Sequence, residues 1–374
     1  MHIGLNAHLL SGQAGYRAAG IHRYIAGLLA HLAAAAPAGW RYTAMVGAAN
    51  TDHFPGIDMR RARLNTENPL ARIVWEQAAQ PLQLGGFDLL HAMAFAGPLI
   101  APRPMVVTVY DLSFVHYPER LPRSRRWYLS LFARMTARRA RRVMAISRAT
   151  AADLTATWGI APERIDLVAP GYDAQVFRPL PEDVLRAFRQ SKGLPPRFWL
   201  FIGTLEPRKN LTTLLEGYAA LPPGERLPLV IAGGKGWDTG PIFAAVERWK
   251  LGEQVRFPGY LSHEELPFWY NTAEAFVYPS VFEGFGLPVL EAMACGTPVV
   301  VSDASSLTEI AEGAGMLVPP YQVQAWTEAL RRAGGDVTWR SETRALGLQR
   351  AMRYPWQAAA ANATASYQRI LDGS

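Results

Sequence analysis

A rhythm in the sequence limits what this chain can fold into more than any single residue does. Short apolar runs of strand length alternate with longer segments of helical period, and the alternation occurs twice along the 374 residues. In the first half, strand-like Ile3 to Leu5 precedes a predicted helix over Ile21 to Ala36. Further strand-like runs cover Ala44 to Val46, Leu89 to His91 and Met105 to Val109. A Pro-rich stretch, Ala169-Pro170-Gly171 through Phe177-Arg178-Pro179-Leu180-Pro181, then interrupts the pattern. The runs resume with Phe198 to Ile202, Leu229 to Ala232, Val255 to Phe257, Ala275 to Tyr278 and Val299 to Ser302. Strand followed by helix, repeated, is the pattern of parallel sheets covered by helices. The expected fold class is therefore α/β, two doubly wound parallel-sheet domains with a linker at the proline stretch. Two such halves facing one another would make a cleft, with ligands beyond the carboxyl ends of the strands.

Composition removes other classes. With 49% hydrophobic and 18% charged residues the chain has ample material for cores and is not a disordered segment. A single cysteine, Cys295, excludes an internal disulfide framework and fits a reducing, cytoplasmic compartment. The opening Met1 to Ala7 has neither a charged leader nor a long apolar core, so no signal peptide is expected. No run of about 18 apolar residues reads as a membrane span. A net charge of +7 calls for an anionic partner, whether nucleic acid, acidic membrane or phosphorylated ligand.

The densest chemical signal is Glu283-Gly284-Phe285-Gly286-Leu287-Pro288-Val289-Leu290-Glu291, following the predicted strand Ala275 to Tyr278. Glu283 lies in a glycine-flanked loop, Pro288 sits near a helix start, and Glu291 is expected in the first helical turn. A helix start offers unpaired N–H groups and partial positive charge to a phosphate, and carboxylates suit the hydroxyls of a sugar or ribose. Alone, the run would do no more than make a turn and favour a helix dipole. A second signal, Phe201-Ile202-Gly203-Thr204-Leu205-Glu206-Pro207-Arg208-Lys209-Asn210-Leu211, places two adjacent cations at a strand's carboxyl end. Arg208 with its planar fork and Lys209 as a point charge suit a diphosphate.

Together these two segments, and the Ala292-Met293-Ala294-Cys295-Gly296-Thr297-Pro298 that follows, resemble glycosyltransferase family four, the retaining enzymes of GT-B fold. Gly20-Ile21-His22-Arg23-Tyr24, Ala145-Ile146-Ser147, Pro170-Gly171-Tyr172-Asp173, Ala232-Gly233-Gly234 and Phe257-Pro258-Gly259-Tyr260-Leu261-Ser262 extend the resemblance over nearly the whole chain. It implies an acceptor-binding Rossmann-like domain over residues 1–175, a nucleotide-sugar-binding one over 176–355, and a final helix over 356–374 crossing back to the first.

By the same resemblance, Glu283 contacts hydroxyls of the transferred sugar, Glu291 contacts the donor ribose, and Arg208 and Lys209 hold the pyrophosphate. Gly284, Phe285, Gly286 and Leu287 add backbone N–H groups, and Gly20 lets backbone approach the donor phosphate. Where the family often has a histidine before an aspartate, this chain has Tyr110-Asp111, with Tyr110 able to hydrogen-bond a sugar in its place. His116 and His91 read as structural, and Cys295 not as a nucleophile. Transfer with retention needs stabilised charge on the leaving diphosphate rather than a strong base. No Asp-x-Asp pair or ligand-spaced His/Cys cluster is present, so neither metal nor cofactor is expected.

The implied donor is a nucleotide-diphosphate sugar, GDP-mannose favoured by likeness to mannosyltransferases around Tyr110 to Phe114. The implied acceptor is a glycan or lipid-linked saccharide in polysaccharide or glycoconjugate biosynthesis. A GT-B epimerase or phosphorylase, or a non-catalytic sugar-nucleotide or glycan-binding protein, are the alternatives.

Arg123 to Arg142 carries eight arginines and no acid, with Trp127, Tyr128, Leu131, Phe132 and Met135 at helical spacing. It reads as a basic amphipathic helix that either docks peripherally on an anionic membrane or packs its aromatic face inward. No nucleic-acid-binding motif accompanies the charge.

Overall fold

Strands that are buried on both faces must be apolar along their length, and the central strands here have that character: all four residues of Val299–Ser302 and of Ala275–Tyr278 are buried. The computed structural model describes residues 1–10, 19–64, 66, 68–120 and 129–373. The chain divides into two units, Met1–Gly171 with Trp356–Ser374, and Tyr172–Pro355.

The first unit holds seven strands: β1 (His2–Asn6), β2 (Arg41–Val46), β3 (Ile57–Arg61), β4 (Leu89–Ala92), β5 (Met105–Val109), β6 (Arg142–Ala145) and β7 (Ile165–Leu167). They pair in parallel in the order β3-β2-β1-β4-β5-β6-β7. The second unit holds β8 (Trp199–Ile202), β9 (Leu229–Ala232), β10 (Val255–Gly259), β11 (Ala275–Tyr278), β12 (Val299–Ser302) and β13 (Met316–Val318), parallel in the order β10-β9-β8-β11-β12-β13. Both are doubly wound Rossmann-like sheets whose order reverses beside the first strand.

The expected helix over Ile21 to Ala36 spans Ala19–Leu32, and it receives the final helix, Trp356–Leu371. Gly27 is what allows this: a Cβ there would sit 2.3 Å from the Trp356 ring. His91 on β4 bonds Tyr367 Oη through Nδ1 (2.7 Å) and Thr108 Oγ1 through Nε2 (2.8 Å). Asp166 on β7 meets Arg142 Nε at 2.5 Å, accepts from Ser366 Oγ at 2.6 Å, and pairs with Arg369.

Arg142 corrects the sequence reading. The expected basic helix over Arg123 to Arg142 falls partly outside the described residues, at 123–128. The rest is a π-helical turn Leu129–Ala133 and a helix Arg134–Arg139, and Arg142 opens a strand with its guanidinium spent on Asp166. Periodicity could not separate this short strand from the helix before it.

His91 and His8 are buried, and burial takes each down to about 3; for His8 nearby Arg72 adds to the effect. An unfolded histidine titrates near ~6.5, so between those values the unfolded chain binds more protons. The stability these groups confer is full above ~6.5 and falls as pH drops toward 3. By about pH 5 each has given up roughly 2 kcal/mol. Urea unfolding across this window should show stability rising with pH, with a shallower slope in His91→Gln. Equal slopes in both proteins would refute the assignment.

Candidate active site of the second unit

The second sheet reverses between β8 and β11, and the loops leaving these two strands meet. After β8, Pro207–Lys209 makes one 3₁₀ turn and Asn210 adopts left-handed backbone (φ 53°, ψ 32°) before the helix Leu211–Ala220. After β11, Pro279 to Gly286 leads into the helix Leu287–Ala294, whose start is set by Gly286 at φ 112°. A Cβ at Gly286 would meet Leu307 at 2.9 Å, so both conformation and space call for glycine.

Glu283 is the hub. Arg208 Nη1 donates to Glu283 Oε2 at 3.0 Å and to Phe282 O at 2.7 Å, and Lys209 Nζ pairs with Glu283 Oε1. Tyr278 and Ser280 hydroxyls donate to the same oxygen at 3.1 and 2.7 Å, and Lys209 Nζ donates to Tyr278 Oη at 2.7 Å. Arg208 Nε also lies 2.5 Å from Glu206 Oε1. Burial pushes the Glu283 carboxyl up, but Arg208 and Lys209, with hydrogen bonds from Lys209 and Ser280, outweigh it and hold the group well below the usual carboxylate range. Burial, with Arg208 beside it, draws the Lys209 ammonium down to about 8 against the opposing pull of Glu283 and Glu206.

The Glu283–Leu287 loop is fixed through its carbonyls. Ser305 Oγ donates to Glu283 O (2.7 Å), and Ser306 Oγ to Glu283 O (2.9 Å) and Phe285 O (2.7 Å). Ser305 itself is held at φ 53°, so the two non-glycine residues of this site with positive φ, Asn210 and Ser305, store backbone strain here.

Glu291 is 2% exposed and accepts from Tyr270 Oη at 3.1 Å. It lies beyond the first turn of Leu287–Ala294, which holds no acid, so the expected first-turn position is corrected. The helix opens at Leu287, with Gly286 before it and Pro288 in its first turn, which leaves Glu291 past that turn.

The remaining residues singled out from sequence belong to the first unit. Gly20 is the second residue of Ala19–Leu32, exposed, and a Cβ there would meet nothing within 4 Å. Nothing in the described chain requires a glycine at that place. Tyr110 follows β5, is buried against Tyr24 and Phe95, and its hydroxyl donates to Met93 O at 2.7 Å. That proton is spent inside the unit. Asp111 Oδ1 accepts from Ser113 N at 2.9 Å, fixing the turn into Ser113–His116. His116 is paired with Asp153 at 2.8 Å. Cys295 is buried, and burial pushes its thiol up, the wrong direction for a nucleophile. Among the described residues no group of three or more His, Cys, Asp or Glu converges as a metal site. No helix among them is long and apolar enough to cross a membrane.

Two family patterns match this chain: Glycosyltransferase Family 4 over residues 18–176, and Glycosyl transferases group 1 over residues 186–337. O-antigen chain mannosyltransferase B of Escherichia coli is 30% identical over 329 residues, covering 83% of this chain and 86% of that protein. The chain belongs to glycosyltransferase family 4.

Solved structures agree on the fold of this glycosyltransferase. Sucrose-phosphate synthase from Thermosynechococcus elongatus superposes with a TM-score of 0.78 at 23% identity, over 100% of both chains. The Anabaena protein HepE, solved with UDP and glucose, gives 0.74 at 20% identity, again over 100% of both. The glycosyltransferase thus has the two Rossmann-like units of the GT-B class.

Sequence reasoning missed Tyr278, Ser280, Ser305, Ser306 and Tyr270. The first two had a usable signal, since they stand where β11 ends and the Glu283 loop begins. The serines come from a different strand exit, after β12, and nothing local ties them to Glu283.

Proposed function

We propose that this glycosyltransferase is a retaining, metal-independent mannosyltransferase that moves mannose from GDP-mannose to a glycan or lipid-linked acceptor in polysaccharide biosynthesis. The observation that carries the reading is the pairing of Arg208 and Lys209 with one carboxylate, Glu283, at the point where the second sheet reverses. Within the chain, Glu283 is the one carboxylate that pairs with both cations, Glu206 pairing with Arg208 alone. A donor diphosphate takes over that role and releases the carboxylate to the hydroxyls of the sugar.

In the transfer step the bond from sugar C1 to the diphosphate oxygen breaks and its electron pair leaves with the nucleoside diphosphate. The acceptor oxygen bonds C1 on the same face, and its proton passes to the departing phosphate oxygen. Arg208, Lys209 and the N–H groups from Phe285 to Leu287 stabilise the charge that builds there, which is why fixed cations serve where other sites use a metal. Glu291 holds the ribose, and Gly20 admits the diphosphate close to backbone. Asp111 serves the sugar, and Tyr110 acts through packing, given that its proton goes to Met93 O. Mannose is supported by the Escherichia coli relative, and a nucleoside-diphosphate donor by the cation pair.

Thermal stabilisation by GDP, UDP and ADP, with and without EDTA, tests the reading. At about a hundredfold above its dissociation constant, GDP should stabilise the folded state by about 2.7 kcal/mol. EDTA should leave the shift unchanged, and Arg208→Ala should remove it. Gly20→Ala should weaken the shift while its own melting point, without nucleotide, stays at or above the wild-type value. A shift seen only with added divalent metal, or with no nucleotide at all, would overturn it.

A further inference from the structure

The helical run from Pro69 to Leu82, in the first unit, turns an apolar face outward. Its buried side carries Trp75, Glu76 and Gln80, whereas Leu70, Val74 and Leu82 are 73%, 59% and 87% exposed, with Ala78 exposed between them. The π-helical turn Trp75–Ala79 offsets the drift that a regular helix would give to a four-residue repeat, so the apolar side chains stay in one row. That is the reverse of what a solvated crossover helix needs.

Gln77 ties this run to the loop before β5: Nε2 donates to Gly97 O at 3.1 Å, and Leu99 N donates to Oε1 at 3.0 Å. On that loop Pro98, Pro102 and Pro104 restrict the backbone and Ile100 stands 79% exposed. With Arg103, Arg139 and Arg141 the loop lines a cavity of about 300 Å³. Arg103 Nη2 donates to Gly85 O at 2.9 Å, three residues past Leu82, and Arg139 Nη1 to Leu99 O at 2.6 Å. Among the described residues none of the three has a carboxylate partner. These arginines stand before β5 and β6, at the amino edge of the sheet, whereas Tyr110 and Asp111 follow β5 at the carboxyl edge.

We propose that this surface docks on an anionic lipid bilayer, with Leu70, Val74, Leu82 and Ile100 entering the headgroup boundary and Arg103, Arg139 and Arg141 meeting lipid phosphates. Exposed aliphatic side chains beside acid-free arginines complement an interface that is anionic outside and apolar beneath. A second copy of the chain would bring the same arginines and the same net +7 against them. Nucleic acid would leave the aliphatic row without a partner.

Co-sedimentation with vesicles of phosphatidylcholine, with and without phosphatidylglycerol, is the test. The whole protein should bind only the anionic vesicles, less at high salt. Leu70→Ser/Leu82→Ser/Ile100→Ser and Arg103→Glu/Arg141→Glu should each reduce binding by at least about tenfold. All three proteins should melt alike and respond alike to nucleotide, which separates this outcome from that of the donor site. Failure of the wild type to bind, binding by the variants at wild-type level, or a wild-type dimer that the triple serine variant dissolves would each overturn the proposal.

Discussion

Glu283→Gln is expected to reduce transfer by at least about a hundredfold and to lower the stability of the second unit by about 3–5 kcal/mol. Both effects follow from one geometry. Lys209 is buried and Arg208 largely covered beside Glu283, and a neutral amide leaves their charge without its main counter-charge in a place where little water reaches. The amide also brings donors toward Tyr278 and Ser280, whose hydroxyls now donate to the carboxylate. An acceptor-dependent assay measures the first effect and urea unfolding the second. Removing a cation as well, in Glu283→Gln/Lys209→Met, should recover part of the stability and none of the transfer, because two close partners are not additive. A glutamine variant that transfers within about tenfold of wild type would remove Glu283 from the mechanism.

Gly233→Ala should be nearly as damaging, without touching a charge. Gly233 has φ 147°, and a Cβ there would stand 1.9 Å from Gly203 O. That contact cannot be relieved by turning a side chain, since both sides are backbone. Gly203 N donates to Ala232 O at 3.0 Å and Gly233 N to Gly259 O at 2.7 Å, so separating the two backbones breaks the pairing of β8, β9 and β10 at their carboxyl ends. The loop bearing Arg208 and Lys209 leaves from that edge. A loss of more than about 4 kcal/mol is expected, against less than about 0.5 kcal/mol for Gly240→Ala, where a Cβ meets nothing within 4 Å. Equal urea midpoints for the two variants would show that the strands can shift after all.

Several strands are found at their expected bounds, Met105–Val109, Leu229–Ala232, Ala275–Tyr278 and Val299–Ser302 among them. Each is an apolar run that parallel pairing buries on both faces, so composition alone marks it. β3, Ile57–Arg61, is polar because it lies at a sheet edge, and β7 and β13 are three residues long. β6 follows directly on a helix within an arginine-rich segment. None of these leaves a run that stands out.

The sequence by itself determined the class of the protein and where its chemistry concentrates: two parallel-sheet units, the Arg208-Lys209 pair after one strand, and the Glu283 to Glu291 run after another. These depend on residue type and short spacing, which strand and helix geometry translate directly. Only the tertiary structure decided that Tyr278 and Ser280 complete the Glu283 cluster, that Tyr110 gives its proton to Met93 O, and that Leu70, Val74 and Leu82 face outward. Those outcomes depend on which strands become neighbours and which helix face meets the sheet. They are settled by burial and hydrogen bonding between residues far apart in the chain, where local periodicity carries no information.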